Sequence, residues 1–124
     1  MHLLQKSNFA YVGNIKMKNE QNLPLYQLED LELITENGVE YIWAHIYQTN
    51  RYVKIIAQTG VAVKRLDFRV LDDLAIMTPA EVYPYLTSFD RQNYVFNGFA
   101  YDPIEDFYYI TGKMSWYIFK IKIY

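Results

Sequence analysis

The chain has 124 residues, a length that fits one compact domain with a modest core. Its formal net charge is −2 and its 12 basic residues are spread along the sequence, so neither nucleic acid nor an anionic membrane is expected as a partner. Because the chain contains no cysteine, disulfides, thiolate chemistry and cysteine-based metal sites are excluded.

Short strands separated by turns dominate the sequence. Aromatic residues make up 18% of the chain, with 13 tyrosines and 7 phenylalanines, a usage that favours strands over helices. Apolar runs and alternation predict strands at residues 9–18, 28–35, 39–46, 52–57, 61–68, 94–101, 107–111 and 117–124. The strongest local signal is Asn37-Gly38, because this pair supplies the positive φ angles that a tight hairpin needs.

A short helix and a repeat complete the predicted fold. Residues 78–81 offer a capping hydroxyl, a proline at the first helical position and a glutamate three residues after the cap, and Pro84 ends this helix. Residues 31–57 and 96–123 both run strand, acidic turn, aromatic-rich strand, loop, strand, which suggests propeller blades. The predicted class is all-β, with antiparallel four-stranded meanders of β-propeller blade type and one short helix in a long loop.

The domain prediction is one unit over residues 1–124 that forms a partial five-bladed propeller. It contains about two blades, 9–68 and 94–124, which pack face to face and are joined by the loop 69–93. The second blade has three strands and lacks a fourth. Open blade faces predict either a homo-oligomer or a missing N-terminal half of the propeller. The start of the chain shows no signal-peptide pattern, and the sequence assigns no location.

Several segments keep the order and spacing of one family's motifs. They are LEDLE at 28–32, NGVEYIWAH at 37–45, QT at 48–49 with IIAQTG at 55–60 and Val63, FNGFAYD at 96–102, ITGK at 110–113 and FKIK at 119–122. These segments resemble the LNELEYI…G.IWAN, WQT, RID..TG.V, LNGIAYD and VTGK…LFEIK patterns of the glutaminyl-peptide cyclotransferases of plants and bacteria, which are β-propellers. The resemblance covers residues 13–124 and corresponds to about the C-terminal half of a five-bladed propeller.

This resemblance implies an activity and a set of partners. The family closes an N-terminal glutamine into pyroglutamate with release of ammonia, so peptides or proteins that begin with glutamine are the implied substrates. It uses no cofactor and no catalytic metal, and its members are often secretory or periplasmic. The family's principal proton-transferring glutamate belongs to the half that is absent here. A second possibility is therefore a catalytically inactive, truncated propeller that binds peptides or proteins.

The chemistry of cyclisation suggests roles for five residues. An unprotonated α-amine must attack the side-chain amide, the oxyanion must be stabilised and ammonia must leave protonated. The resemblance implies Lys113 as the cation near the oxyanion and Trp43 as an aromatic wall that holds the substrate bent. Glu29 is assigned acid–base work, and Trp116 and Asn97 are assigned to substrate binding. Without the family match, Trp43 would be read as core packing and Lys113 as a solvated lysine at a strand end.

The chain departs from the family pattern at three places. Glu29 and His45 stand where the family has the asparagines of LNELE and WAN, and the tryptophan-proline pair after TGK is displaced, which leaves Ser115-Trp116. His2 and His45 are too far apart in sequence to suggest a metal site, so no metal is predicted and His45 is interpreted as an ordinary strand histidine.

Overall fold

The structure is a computed structural model that describes residues 1–4, 11–71, 95–112, 115 and 117–124. The strands of these residues are β1 His2–Leu4, β2 Tyr11–Asn14, β3 Leu28–Glu36, β4 Val39–Ile46, β5 Arg51–Ile56, β6 Ala62–Asp67, β7 Phe96–Asp102, β8 Phe107–Gly112 and β9 Phe119–Ile121. The predicted all-β, antiparallel class is confirmed, whereas the predicted helix at residues 78–81 lies outside the described residues. In the part of the chain that is described, no helix is long and apolar enough to cross a membrane.

Two meanders make up most of the fold. One sheet has the order β3-β4-β5-β6 and the other has the order β7-β8-β9, while β1 and β2 form a separate pair. The β3–β4 turn has the predicted geometry, because Asn37 and Gly38 adopt φ angles of 51° and 78°. The prediction of a four-stranded meander followed by a three-stranded one is therefore confirmed.

A β-bulge near the start of β3 sets which side chains face the second meander. Glu29 pairs with His45 and Glu32 pairs with Trp43, so β3 carries one more residue than β4 between these pairs. Asp30 lies in the bulge with a φ of 51°, a left-handed conformation that aspartate tolerates better than most residues. The extra residue turns the side chains of both Glu29 and Glu32 to the same face of the sheet.

A second bulge lies at the start of β7. Phe96 pairs with Gly112 and Gly98 pairs with Thr111, so Asn97 is the extra residue. The Asn97-Gly98 pair suits this bulge, because a glycine inside a strand tolerates the local bend. The two bulges occupy corresponding places in the two meanders, within the first few residues of the first strand of each.

The main core lies between the two meanders and is largely aromatic. Its buried members are Ile34, Trp43, Tyr52, Phe68, Phe96, Phe99, Tyr108 and Ile110. Tyr52 and Phe99 bring their ring centroids to 4.8 Å across the interface, and Trp43 and Phe99 to 5.9 Å. Full burial of each such side chain contributes about 1.5–3 kcal/mol, so this interface contributes strongly to the stability of the fold. The predicted face-to-face packing of the two meanders is confirmed.

Gly60 allows the segment at residues 15–18 to approach the β5–β6 turn. The N–H of Lys18 donates to the Gly60 carbonyl at 2.7 Å. Gly60 has a φ of +74°, and a Cβ there would lie 2.2 Å from the carbonyl oxygen of Lys16. Gly38 has a similar φ of +78°, but a Cβ there meets no atom within 4 Å. Both glycines therefore have a left-handed backbone that disfavours any residue with a Cβ, but only Gly60 also lacks room for one.

Alanine at Gly60 is expected to cost more stability than alanine at Gly38. The left-handed conformation alone costs a residue with a Cβ about 1–2 kcal/mol, and this is the expected loss for Gly38→Ala. Gly60→Ala must also displace backbone at Lys16, so its loss is expected to exceed that value. Urea unfolding of both variants and the parent measures the difference, and equal losses would contradict the close approach at Gly60.

Candidate active site

Ionisable and hydrogen-bonding side chains gather at one end of the two meanders. β3 and β7 begin at this end, and β4 and β8 finish there. We call it the polar end and define it by Glu29, Asp30, His45, Tyr52 and Asn97. The turn between β4 and β5 joins the two sheets here, because its Asn50 side-chain oxygen accepts the N–H of Phe96 at 3.2 Å. The start of β7 is thereby held beside the start of β3.

Glu29 and His45 contact each other across β3 and β4. The His45 Nδ1 atom lies 2.8 Å from Glu29 Oε1, and its Nε2 atom lies 2.5 Å from the carbonyl oxygen of Thr49. His45 is fully buried, whereas the Glu29 side chain is 38% exposed. The Tyr52 ring covers the imidazole with a centroid separation of 4.9 Å. A solvent-reachable carboxylate is thus fixed by a buried histidine.

Asp30 supplies a second carboxylate at the polar end. The Tyr52 hydroxyl lies 3.4 Å from Asp30 Oδ2 and 3.3 Å from the Phe96 carbonyl oxygen, and its single proton serves one acceptor at a time. Burial raises the pKa of the Asp30 carboxyl, and the Tyr52 hydroxyl opposes this rise. Burial also raises the pKa of the Tyr52 hydroxyl, with the charges of Asp30 and Glu29 adding to the effect. The hydroxyl therefore remains a neutral donor.

Trp43 lies one residue pair further along the sheet and is fully buried. Its ring contacts Phe99 and Tyr108 of the second meander, at centroid separations of 5.9 and 6.3 Å. The indole Nε1–H has no hydrogen-bond partner of acceptable geometry among the described residues. Burial raises the pKa of the neighbouring Tyr108 hydroxyl to about 12, and the Trp43 indole acts in the opposite direction. Trp43 therefore forms part of the core directly beside the polar end.

The structure brings two of the five predicted site residues to the polar end. Glu29 lies in the β3 bulge region, and Asn97 is the exposed extra residue of the β7 bulge. Lys113 follows Gly112, which ends β8 opposite Phe96, but Lys113 and Trp116 themselves lie outside the described residues. Their roles stay predictions.

Three residues of the polar end were missed by reasoning from the sequence. His45 was interpreted as an ordinary strand histidine, yet it holds Glu29. Asp30 and Tyr52 were not singled out, since a half-buried carboxyl and a bridging hydroxyl depend on strands that are distant in sequence. The usable signal for His45 was the pairing of β3 with β4, which places it near Glu29. Among the described residues, no three or more His, Asp or Glu side chains form a group that could hold a metal ion.

The fold and the polar end define a protein of packed antiparallel meanders that presents proton-carrying side chains at one end of its sheets. A family model described as glutamine cyclotransferase matches residues 1–123. The chain belongs to the glutamine cyclotransferase family. A crystal structure of glutaminyl cyclase from Myxococcus xanthus is similar, with 25% sequence identity and a TM-score of 0.73. The match covers 96% of this chain and 45% of that one, and no curated protein sequence matches.

Proposed function

We propose that this chain carries part of the active site of a glutaminyl-peptide cyclotransferase, which converts the N-terminal glutamine of peptides or proteins to pyroglutamate and releases ammonia. The family match over residues 1–123 carries the proposal. The polar end supports it, because cyclisation requires groups that move protons, and Glu29 is a carboxylate within reach of solvent.

The two meanders are proposed to be neighbouring blades of a β-propeller. The chain spans less than half of the Myxococcus xanthus enzyme, so the remaining blades would come from a longer chain or from a second copy. The face of the first meander that points away from the main core supports this arrangement. Leu31 and Leu33 on β3 are 47% and 60% exposed, and a further blade would cover them.

The residues of the polar end are assigned the following steps. The α-amine nitrogen attacks the side-chain amide carbon, Glu29 takes the proton lost by that nitrogen, and the carbon–nitrogen bond to the leaving group then breaks as Glu29 protonates it. Lys113 stabilises the negative oxygen of the tetrahedral intermediate. Asn97 binds the substrate amide and Trp116 holds the substrate in a bent conformation, while the buried Trp43 supports the site from the core beneath it.

A peptide assay tests the proposed activity. Mass spectrometry follows loss of ammonia from a peptide that begins with glutamine, and the same peptide with an acetylated N-terminus is the control because its nitrogen cannot attack. The expected result is cyclisation of the free peptide well above its spontaneous rate and none of the acetylated one. Binding of the glutamine peptide without any acceleration would contradict the proposal and favour a peptide-binding module.

A further inference from the structure

We propose that Glu29 and His45 act as one unit, in which the buried imidazole orients the Glu29 carboxylate and balances its charge. His45 is then a positioning residue of the cyclisation site, and Glu29 is the group that touches the substrate. This inference rests on the proposed cyclotransferase activity and adds a residue that the sequence pattern assigned no role.

The two contacts of the imidazole place a hydrogen on Nε2 and direct Nδ1 at the Glu29 carboxyl. The Thr49 carbonyl can only accept, so the His45 Nε2 atom at 2.5 Å must carry a hydrogen. Nδ1 faces Glu29 Oε1 at 2.8 Å, and an ionised carboxylate also only accepts. With an ionised Glu29, an imidazolium satisfies both acceptors at once, and this ion pair is the state that the inference assigns. Because His45 is fully buried, its positive charge requires a close negative partner, and Glu29 provides it.

The surroundings keep this pair in one arrangement. Tyr52 lies on the neighbouring strand in register with His45, and its ring packs on the imidazole. The titratable groups facing His45 in the described residues are Glu29 and Asp30 from β3 and Tyr52 from β5. Asp30 is engaged by the Tyr52 hydroxyl. Glu29 is therefore the carboxylate that the imidazole holds, and Asp30 adds negative potential beside it.

The pair also gives a common reason for two unusual residues. Glu29 and His45 are the positions at which the LNELE and WAN motifs have asparagine, and they are direct cross-strand neighbours. One hydrogen bond therefore joins these two departures from the family pattern.

The role in the reaction follows from this geometry. His45 engages Oε1, which leaves Oε2 as the oxygen that we assign to proton transfer. Oε2 accepts the proton from the attacking α-amine as the new carbon–nitrogen bond forms, and returns it to the departing nitrogen as the old bond breaks, so that ammonia leaves neutral. His45 keeps both of its protons throughout.

Kinetics of three variants, His45→Asn, Glu29→Gln and the double variant, test whether the two residues act together. We expect His45→Asn to lower kcat by about 10- to 100-fold, as is typical for an outer partner of a functional group, with little change in KM. The double variant is expected to be no slower than Glu29→Gln, because the imidazole acts only through that carboxylate.

The pH profile of kcat/KM is also expected to change in His45→Asn. Independent losses that multiply, or an unchanged kcat and pH profile in His45→Asn, would overturn the inference.

Nitrogen-15 NMR of the imidazole supplies a readout that needs no turnover. In the parent chain near neutral pH, both ring nitrogens of His45 are expected to be protonated, and in Glu29→Gln the ring is expected to become neutral. A neutral ring in the parent would overturn the pair. A parent that shows the paired imidazolium but fails to accelerate cyclisation would instead contradict the proposed activity, and with it the role of the pair in that reaction.

Discussion

Alanine in place of Trp43 is expected to lower the free energy of unfolding by about 3–5 kcal/mol. The side chain has no exposed surface and packs between the meanders against Phe99 and Tyr108, so its removal leaves a cavity in the main core. Tyr26→Ala is the matched control, because Tyr26 is 73% exposed and its loss should change stability by no more than about 0.5 kcal/mol. Urea unfolding measures both.

The same variant separates two interpretations of Trp43. The resemblance assigns it to the wall that holds the substrate, a role in which its replacement would cost activity and leave the fold intact. The observed burial predicts a loss of stability in addition. If Trp43→Ala unfolds at the same urea concentration as the parent and loses only cyclisation, the side chain serves the substrate and not the core.

Glutamine in place of Glu29 is expected to lower kcat for cyclisation by about 10²–10⁴-fold, the usual contribution of a general acid–base group. The substitution preserves size and a side-chain amide that can hydrogen-bond His45 Nδ1, but it removes the ability to carry a proton. Glu40→Gln is the matched control, because Glu40 lies on the same sheet near the opposite end and is exposed. Initial rates of ammonia release from a glutamine peptide compare the two variants.

Retention of the parent rate in Glu29→Gln would remove Glu29 from the reaction. Asp30 would then be the next carboxyl to replace, since it lies beside Glu29 and burial raises its pKa. A general acid–base group works best when its pKa approaches the working pH, and this upward direction is the one that a carboxyl requires. Asp30→Asn with normal unfolding and lost turnover would move the proton-transfer role to Asp30.

The hairpin at Asn37-Gly38 shows how far local sequence signals reach. The turn residues require left-handed φ angles and so fix where β4 begins. The predicted limits of β4 agree with the observed Val39–Ile46. Continuing the same register without interruption would pair Glu29 with Ile46. The bulge at Asp30 instead pairs Glu29 with His45 and turns its side chain to the other face. The segment LEDLE contains no glycine that would mark the bulge, so the extra residue in β3 could not be placed from the sequence.

Burial at the interface between the meanders was still harder to predict. Alternation shows that Trp43 and Tyr52 lie on one face of their sheet, but whether that face meets substrate or protein depends on Phe99 and Tyr108, which come more than forty residues later in the chain. The half-buried state of Asp30 likewise depends on this second sheet. The roles of Lys113 and Trp116 remain predictions from the resemblance.

The hydroxyl of Tyr52 links assembly of the fold to the state of the site. It reaches from the first meander to the Phe96 carbonyl of the second and to the Asp30 carboxyl. A small sliding of one sheet over the other would lengthen the first contact and release the proton to the second, which stabilises ionised Asp30. The docking of the two sheets and the ionisation of the Asp30 carboxyl are thereby linked through one hydroxyl.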